Sequence, residues 1–290
     1  MATEYLTEGV NSFAATNWLL ADGTAAAVTR GFKDSAELVI PGGGTSVTAS
    51  VDWTTLSPSN TGITFLKIAE RFSGNVGTAS APLKVDADAT ATQYTSAATS
   101  SSRIEHYGPG TLFYAGGTSG VCSNLFQMGS GRTVVQGSTT VTYLTVANGN
   151  CTVEDAATAT NAYLLGGSCT LGTKTSAATL VNVVSGSHSL LRPATTVNVY
   201  GGNLAINVSN AGAATTVNIY GGNVVLYAHG NTAITAVTQY GGYLDVSQLC
   251  FDTTITTLTR YRGAQVSQRP RGASLTVTND VRADPTISAI

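Results

Sequence analysis

Charge is scarce in this chain. Lys, Arg, Asp and Glu make up 10% of its 290 residues, where a soluble domain ordinarily carries about 25%. The net charge is −2, so no broad field draws the protein to nucleic acid or to an anionic membrane. From Ala156 to Leu244 there is no Asp or Glu, and the only cations are Lys174 and Arg192. That gap weighs against attack on polysaccharide. Glycoside hydrolysis needs two carboxylates roughly 5–10 Å apart, and elimination needs a base, often beside a carboxylate-held calcium. Glu154 and Asp155 are neighbours and should face opposite ways on a strand. Nothing marks Asp245 and Asp252 as a pair beyond their closeness in sequence.

Other absences narrow the field further. No apolar run approaches the ~20 residues that span a bilayer. Residues 1–20 contain Glu4 and Glu8 and lack a basic segment followed by an apolar one, so no targeting segment is expected. The four cysteines, Cys122, Cys151, Cys169 and Cys250, form no CxxC pair, and His106, His188 and His229 stand alone. A zinc site has no support in that spacing. Cys151 and Cys169 each follow a glycine by two residues and are expected as small apolar side chains in a core. A bridge between them on stacked strands stays open on spacing. No phosphate loop and no GxSxG elbow occurs. Asn207-Val208-Ser209 matches a glycosylation sequon by chance. No catalytic, cofactor-binding or metal-binding residue is expected.

What the chain has instead is a repeat. Glycines at 149, 167, 186, 202, 222, 242 and 263 stand 18, 19, 16, 20, 20 and 21 residues apart. Between them lie alternating runs such as Thr195-Thr196-Val197-Asn198-Val199-Tyr200 and Thr215-Thr216-Val217-Asn218-Ile219-Tyr220. A period near 20 residues signals a solenoid, and β-branched alternation signals strands. The fold class is therefore all-β: a parallel β-helix or solenoid of roughly 18–21-residue coils, with a smaller β-rich N-terminal region. Val217 and Ile219 should face inward, with Thr216, Asn218 and Tyr220 outward. The glycines should be corners that need positive φ or close backbone approach. Stacking should align Tyr200, Tyr220, Tyr240 and Tyr261, and likewise Asn198 with Asn218 and Asn203 with Asn223. The tyrosines would then stabilise a corner or offer a surface to a sugar or partner. Ice binding would need paired threonines on one flat face, and adjacent threonines such as Thr195-Thr196 should point opposite ways.

Upstream the pattern blurs. Tyr114-Ala115-Gly116-Gly117 and Gly129-Ser130-Gly131 resemble degenerate corners, and Val39-Ile40-Pro41-Gly42-Gly43-Gly44 is a corner or a plain loop. The stretch from Asp86 to Arg103 is almost all Ala, Thr, Ser and Asp, a connection or a polar edge. This divides the chain into an N-terminal β-rich anchoring region (1–104), a solenoid (105–272) and a C-terminal tail or cap (273–290). Trp18 and Trp53 are either core residues or docking anchors. Arg260, Arg262, Arg269, Arg271 and Arg282 crowd the C-terminal end, as an end cap or as a clamp on an acidic surface.

A Thr-, Ala-, Gly- and Ser-rich chain with coils such as TTVNVYGGNL and TTVNIYGGNV resembles tailed-bacteriophage virion proteins with β-helical parts. It is most similar to capsid decoration (cement) proteins, with fibres and tailspikes also alike. The resemblance covers residues 105–272 and is architectural. It implies a non-enzymatic homo-oligomer, a trimer, made in the host cytoplasm and bound to the major capsid protein on the virion surface. The expected capsid-facing residues are Trp18, Trp53, Arg269, Arg271 and Arg282. A tailspike or fibre that binds or degrades host polysaccharide is the alternative, and the missing acidic clusters weigh against its catalytic form.

Overall fold

A computed structural model describes residues 3–13, 17–20, 22–24, 37–49, 62–63, 65–87, 103–116, 121–172, 177–207, 214–227, 233–249, 252–267 and 274–283. The protein is all-β, a parallel β-solenoid of about eight turns with coils of about 20 residues. It divides into two compact units, Met1–Ala159 and Thr160–Ile290.

The second unit shows most plainly how the sequence builds a turn. Each turn contributes one long strand and one short one. The long strands Ala178–Val183, Ala194–Val199, Ala214–Ile219, Ile234–Gln239, Thr253–Tyr261 and Leu275–Ala283 pair in parallel, in that order. The short strands Ser168–Leu171, Ser187–Leu190, Asn203–Ile206, Asn223–Leu226, Tyr243–Asp245 and Gln265–Val266 form a second parallel sheet. Parallel strands need a long crossover, and here the rest of each turn supplies it.

Register turns the repeat into columns. Val181, Val197, Val217, Val237 and Leu258 stand one above the other and are all buried. So do Cys169, His188, Leu204, Val224 and Leu244 on the opposite sheet. Burying one Val, Leu or Ile stabilises by about 1.5–3 kcal/mol, so the stacking of like on like carries the core. Cys122, Cys151 and Cys169 are buried thiols, as expected for small apolar residues.

The long strands depart from strict alternation in one respect. In Ala194–Val199 the first residue is buried, the next two are not, and Val197 and Val199 are buried again. Pairing runs Ala194 with Ala214 and then Thr196 with Thr216, skipping Thr195 and Thr215. The two threonines therefore share the outer side, contrary to the expectation that neighbours would oppose one another. The break in the alternation falls at the same place in neighbouring strands, with no change of register between them, and lets both face water.

Corners follow the glycines. Gly202 has φ +71°, and a Cβ there would lie 2.7 Å from the carbonyl oxygen of Gly186. Conformation and space both exclude a side chain.

The first unit uses the same plan with less regular turns. Its long strands run Thr3–Leu6, Glu37–Gly43, Phe65–Phe72, Arg103–His106, Val121–Gln127 and Thr140–Val146. Only the pairing of Thr3–Leu6 with Trp18–Leu20 is antiparallel among those between its described strands. Parallel pairing thus begins well before residue 105, and Leu275–Ala283, expected within a tail, is a paired strand. The segment at Pro41 is neither corner nor loop. It lies in a strand whose register shifts between Ile40 and Gly42, as suits a residue without an N–H. Gly129–Gly131 is a corner, but Tyr114–Gly116 belongs to the strand Thr111–Gly116. Most of the polar stretch from Asp86 to Arg103 lies outside the described residues.

Candidate functional site

Three features rise above the regular stack: an exposed apolar ridge, a cationic end, and polar clusters inside the core. The ridge and the cationic end belong to the second unit.

The ridge comes from the residue that directly follows each long strand, two positions ahead of the corner glycine. Leu165, Val184, Tyr200, Tyr220 and Tyr240 occupy this place in successive turns and are 44–51% exposed. Backbone bonds from Val184 N to Leu164 O, Tyr200 N to Val183 O, Tyr220 N to Val199 O and Tyr240 N to Ile219 O fix the alignment. Tyr200, Tyr220, Tyr240 and Tyr261 stack with centroids 4.9, 4.8 and 4.7 Å apart and planes within 15°. Each stacked pair adds about 0.5–1.5 kcal/mol beyond burial. The ring faces are spent on one another, so the edges and hydroxyls meet solvent. Burial raises the Tyr220 phenol above its ordinary pKa, with the neighbouring tyrosines adding to it. Sequence reading found the tyrosines but missed Leu165 and Val184. Their signal was the shared offset from Gly167 and Gly186.

Beside the ridge runs an amide ladder. Asn198 Nδ2 donates to Asn182 Oδ1 and Asn218 Nδ2 to Asn198 Oδ1, both at 2.9 Å. The expected Asn198–Asn218 pair is thus extended by Asn182. Asn203 and Asn223 are in register.

The cationic end is the last turn. The buried column Val183–Val199–Ile219–Gln239 continues as Arg260 and Arg282. The column ending in Leu258 continues as Asp280. Arg260 Nε donates to Asp280 Oδ1 at 3.2 Å, and its Nη2 is paired with Oδ2. Arg260, Tyr261, Arg262, Ala264, Arg282 and Ala283 line a cavity of about 660 Å³. Inward-facing charges are one way a sheet avoids continuing its core past its last strand.

The predicted contact residues fare differently. Arg282 is exposed and lines this cavity. Trp53, Arg269 and Arg271 lie outside the described residues. Trp18 is a correction: it is 0% exposed, stacked on Phe13 at 5.8 Å, with its indole N–H directed at the Phe13 carbonyl at 3.4 Å. Its large apolar surface is consumed by the core, so it offers nothing to a partner.

Polar groups also sit inside. In the first unit His106 and Gln127 follow Ile68 in a core column. His106 Nδ1 donates to Gln127 Oε1 at 2.8 Å and lies 3.0 Å from Thr133 Oγ1. Thr133 also donates to Gln127 Oε1 at 2.5 Å, and Gln127 Nε2 donates to the carbonyls of Gly129 and Gly131 at 2.7 and 3.2 Å. Burial pulls the His106 pKa down to about 4. In the second unit His188 Nε2 donates to Ser185 O at 2.7 Å, and burial lowers this pKa also. Arg192 is fully buried, with Nε on Gly172 O at 2.8 Å.

Asp245 and Asp252 accept from backbone, the first from Ser247 N within its own turn and the second from Ser274 N of the next coil. Among the described residues no three His, Cys, Asp or Glu side chains gather to hold a metal, and no helix is long and apolar enough to cross a membrane. Comparison with protein-family models, with curated proteins and with solved structures finds no match to this chain.

Proposed function

We propose that this protein is a non-enzymatic virion component that decorates and stabilises a bacteriophage capsid by binding across subunits of the major capsid protein. The exposed ridge carries the reading. Five large apolar side chains, each about half exposed, offer roughly 400 Å² if a full aromatic side chain offers ~200 Å². Contiguous apolar patches of this size on a soluble protein often mark interaction sites.

The chemistry of the ridge favours a protein partner. Sugars bind aromatic residues through the ring face, and here those faces cover one another. The flank from Ala156 to Leu244 holds no acid and only two cations, which suits apolar packing and gives a polyanion little to hold. Several copies acting together would strengthen attachment through avidity, consistent with the homo-oligomer that the resemblance implies.

The test is co-sedimentation with purified phage heads stripped of their decoration. Wild-type protein should saturate the heads at a fixed copy number. The double variant Tyr200→Ser/Tyr240→Ser, checked for retained β-structure by circular dichroism, should bind roughly tenfold or more weakly, the loss expected for removing two interface aromatics. Equal occupancy by both proteins, or no binding by either, would sink the proposal.

A further inference from the structure

We propose that the cavity at the end of the second unit binds a carboxylate carried by an extended peptide strand, which adds to the open edge of Leu275–Ala283. This surface is distinct from the ridge, and the inference does not depend on the virion reading.

Three observations converge. The first is uncompensated charge. Arg260 and Arg282 are direct register partners on neighbouring strands, and like charges so placed repel. Asp280 pairs with Arg260. Arg262 and Arg282 face the same cavity, and neither has an ion-pair partner among the described residues. A guanidinium presents a planar fork that matches a carboxylate with two parallel bonds. An acid placed between Arg262 and Arg282 would offset the positive charge that Arg282 meets at Arg260 and fill the fork.

The second is the edge. Leu275–Ala283 is the last strand of its sheet, and among the described residues nothing pairs with its outer side. Nine residues of backbone therefore present N–H and C=O groups that a further strand can take up.

The third is direction. The column Gln239–Arg260–Arg282 faces the interior side of the stack. A parallel strand added beside Leu275–Ala283 would place one side chain next in that column, over Arg282. A Glu or Asp at that position would meet the two unpaired guanidinium groups. The cavity, about 660 Å³, has the volume of an ordinary ligand pocket and so has room for an acidic side chain.

The occupant is thus an acidic segment with strand-forming neighbours. An acidic glycan could supply the same carboxylate but could not use the strand edge, and so becomes an outcome of the test. The probe is a fluorescent nine-residue peptide of alternating Thr and Val with one central Glu, titrated against the full chain by fluorescence polarisation. Its Glu→Gln twin should bind roughly tenfold or more weakly, the worth of one charge-assisted contact. In the protein variant Arg262→Ala/Arg282→Ala the difference between the two peptides should vanish. Of two analogues N-methylated at odd or at even amides, at least one should lose binding. The comparison of Glu and Gln peptides needs no protein variant, so a variant that fails to fold does not obscure the result. Equal binding of Glu and Gln peptides, or no binding by either, overturns the proposal. Full binding by both methylated analogues overturns the strand-addition part, and so does an oligo-uronate that binds more tightly than the peptide.

Discussion

His106, Gln127 and Thr133 stand at positions where neighbouring turns carry Ile68, Val146, Leu112 and Cys151. Polar atoms survive there because each side chain offers the next a donor or an acceptor; a buried amide without a partner costs several times the gain of a net hydrogen bond. The same burial gives a pH dependence whose sign can be worked out. Above pH 6.5 the imidazole is neutral both folded and unfolded, and it adds no slope. As pH falls from 6.5 to about 4 the unfolded chain takes up a proton that folded His106 refuses. Stability then drops, levelling off below about pH 4 after a loss of about 3 kcal/mol. His106→Gln should flatten this slope in urea unfolding at pH 7, 5 and 4 while keeping the contact to Gln127. Parallel slopes for variant and wild type would show that His106 is not the source. His188 acts in the same direction and remains in both proteins. None of this was legible from isolated histidines in the sequence. Burial of His106 depends on which residues other turns place around it.

The strand is the scale at which the sequence spoke most clearly. Ala-Thr-Thr-Val-Asn-Ile predicted an inward Val217 and Ile219, an outward Asn218 and a glycine corner, and each is in place. The paired threonines were misjudged because alternation assumes an unbroken pleat. The pleat breaks at Thr195, which no bridge holds between Ala194 and Thr196, and both threonines lie on the outer side. Asn198 is the middle of the amide ladder, giving one hydrogen bond and receiving another. Asn198→Ala should therefore lower the unfolding free energy by about 1–2 kcal/mol, two net bonds at the usual value. Asn198→Thr should lose less, since Thr238 and Thr259 hold the same column. The difference is read from denaturant midpoints, and an unchanged midpoint in Asn198→Ala would mean the ladder is ornamental.

At the scale of the whole molecule, each unit stacks turns that touch mainly their neighbours, so stability is close to a sum over turns and interfaces. Removing residues 203–222, one full period from corner to corner, should leave a folded chain, because Gly202 would then lead into Asn223 with every column still aligned. Removing 203–212, half a period, should destroy cooperative melting, because the turn would lose its short strand Asn203–Ile206 and leave a gap between Ser187–Leu190 and Asn223–Leu226. Circular dichroism with thermal melts separates the two, and equal behaviour of both deletions would contradict a register-driven fold. The second unit was legible because its turns are near copies. The first was not, because its turns differ in length and one strand shifts register at Pro41. The predicted anchor Trp18 shows the same limit: a large aromatic near a terminus has the same letter whether it docks or packs, and here it packs against Phe13.

The sequence alone determined the β class, the parallel stacking, the corner positions and the tyrosine alignment. All of these follow from a period that brings like residues together whatever their neighbours. Only the tertiary structure decided that Leu165 and Val184 extend the tyrosine ridge, that Trp18 belongs to the core, and that Arg260, Arg262 and Arg282 gather around one cavity. Those facts depend on register between strands some 20 residues apart and on what the last turn leaves unpaired. A linear reading does not carry that information, because exposure is a property of the assembled stack.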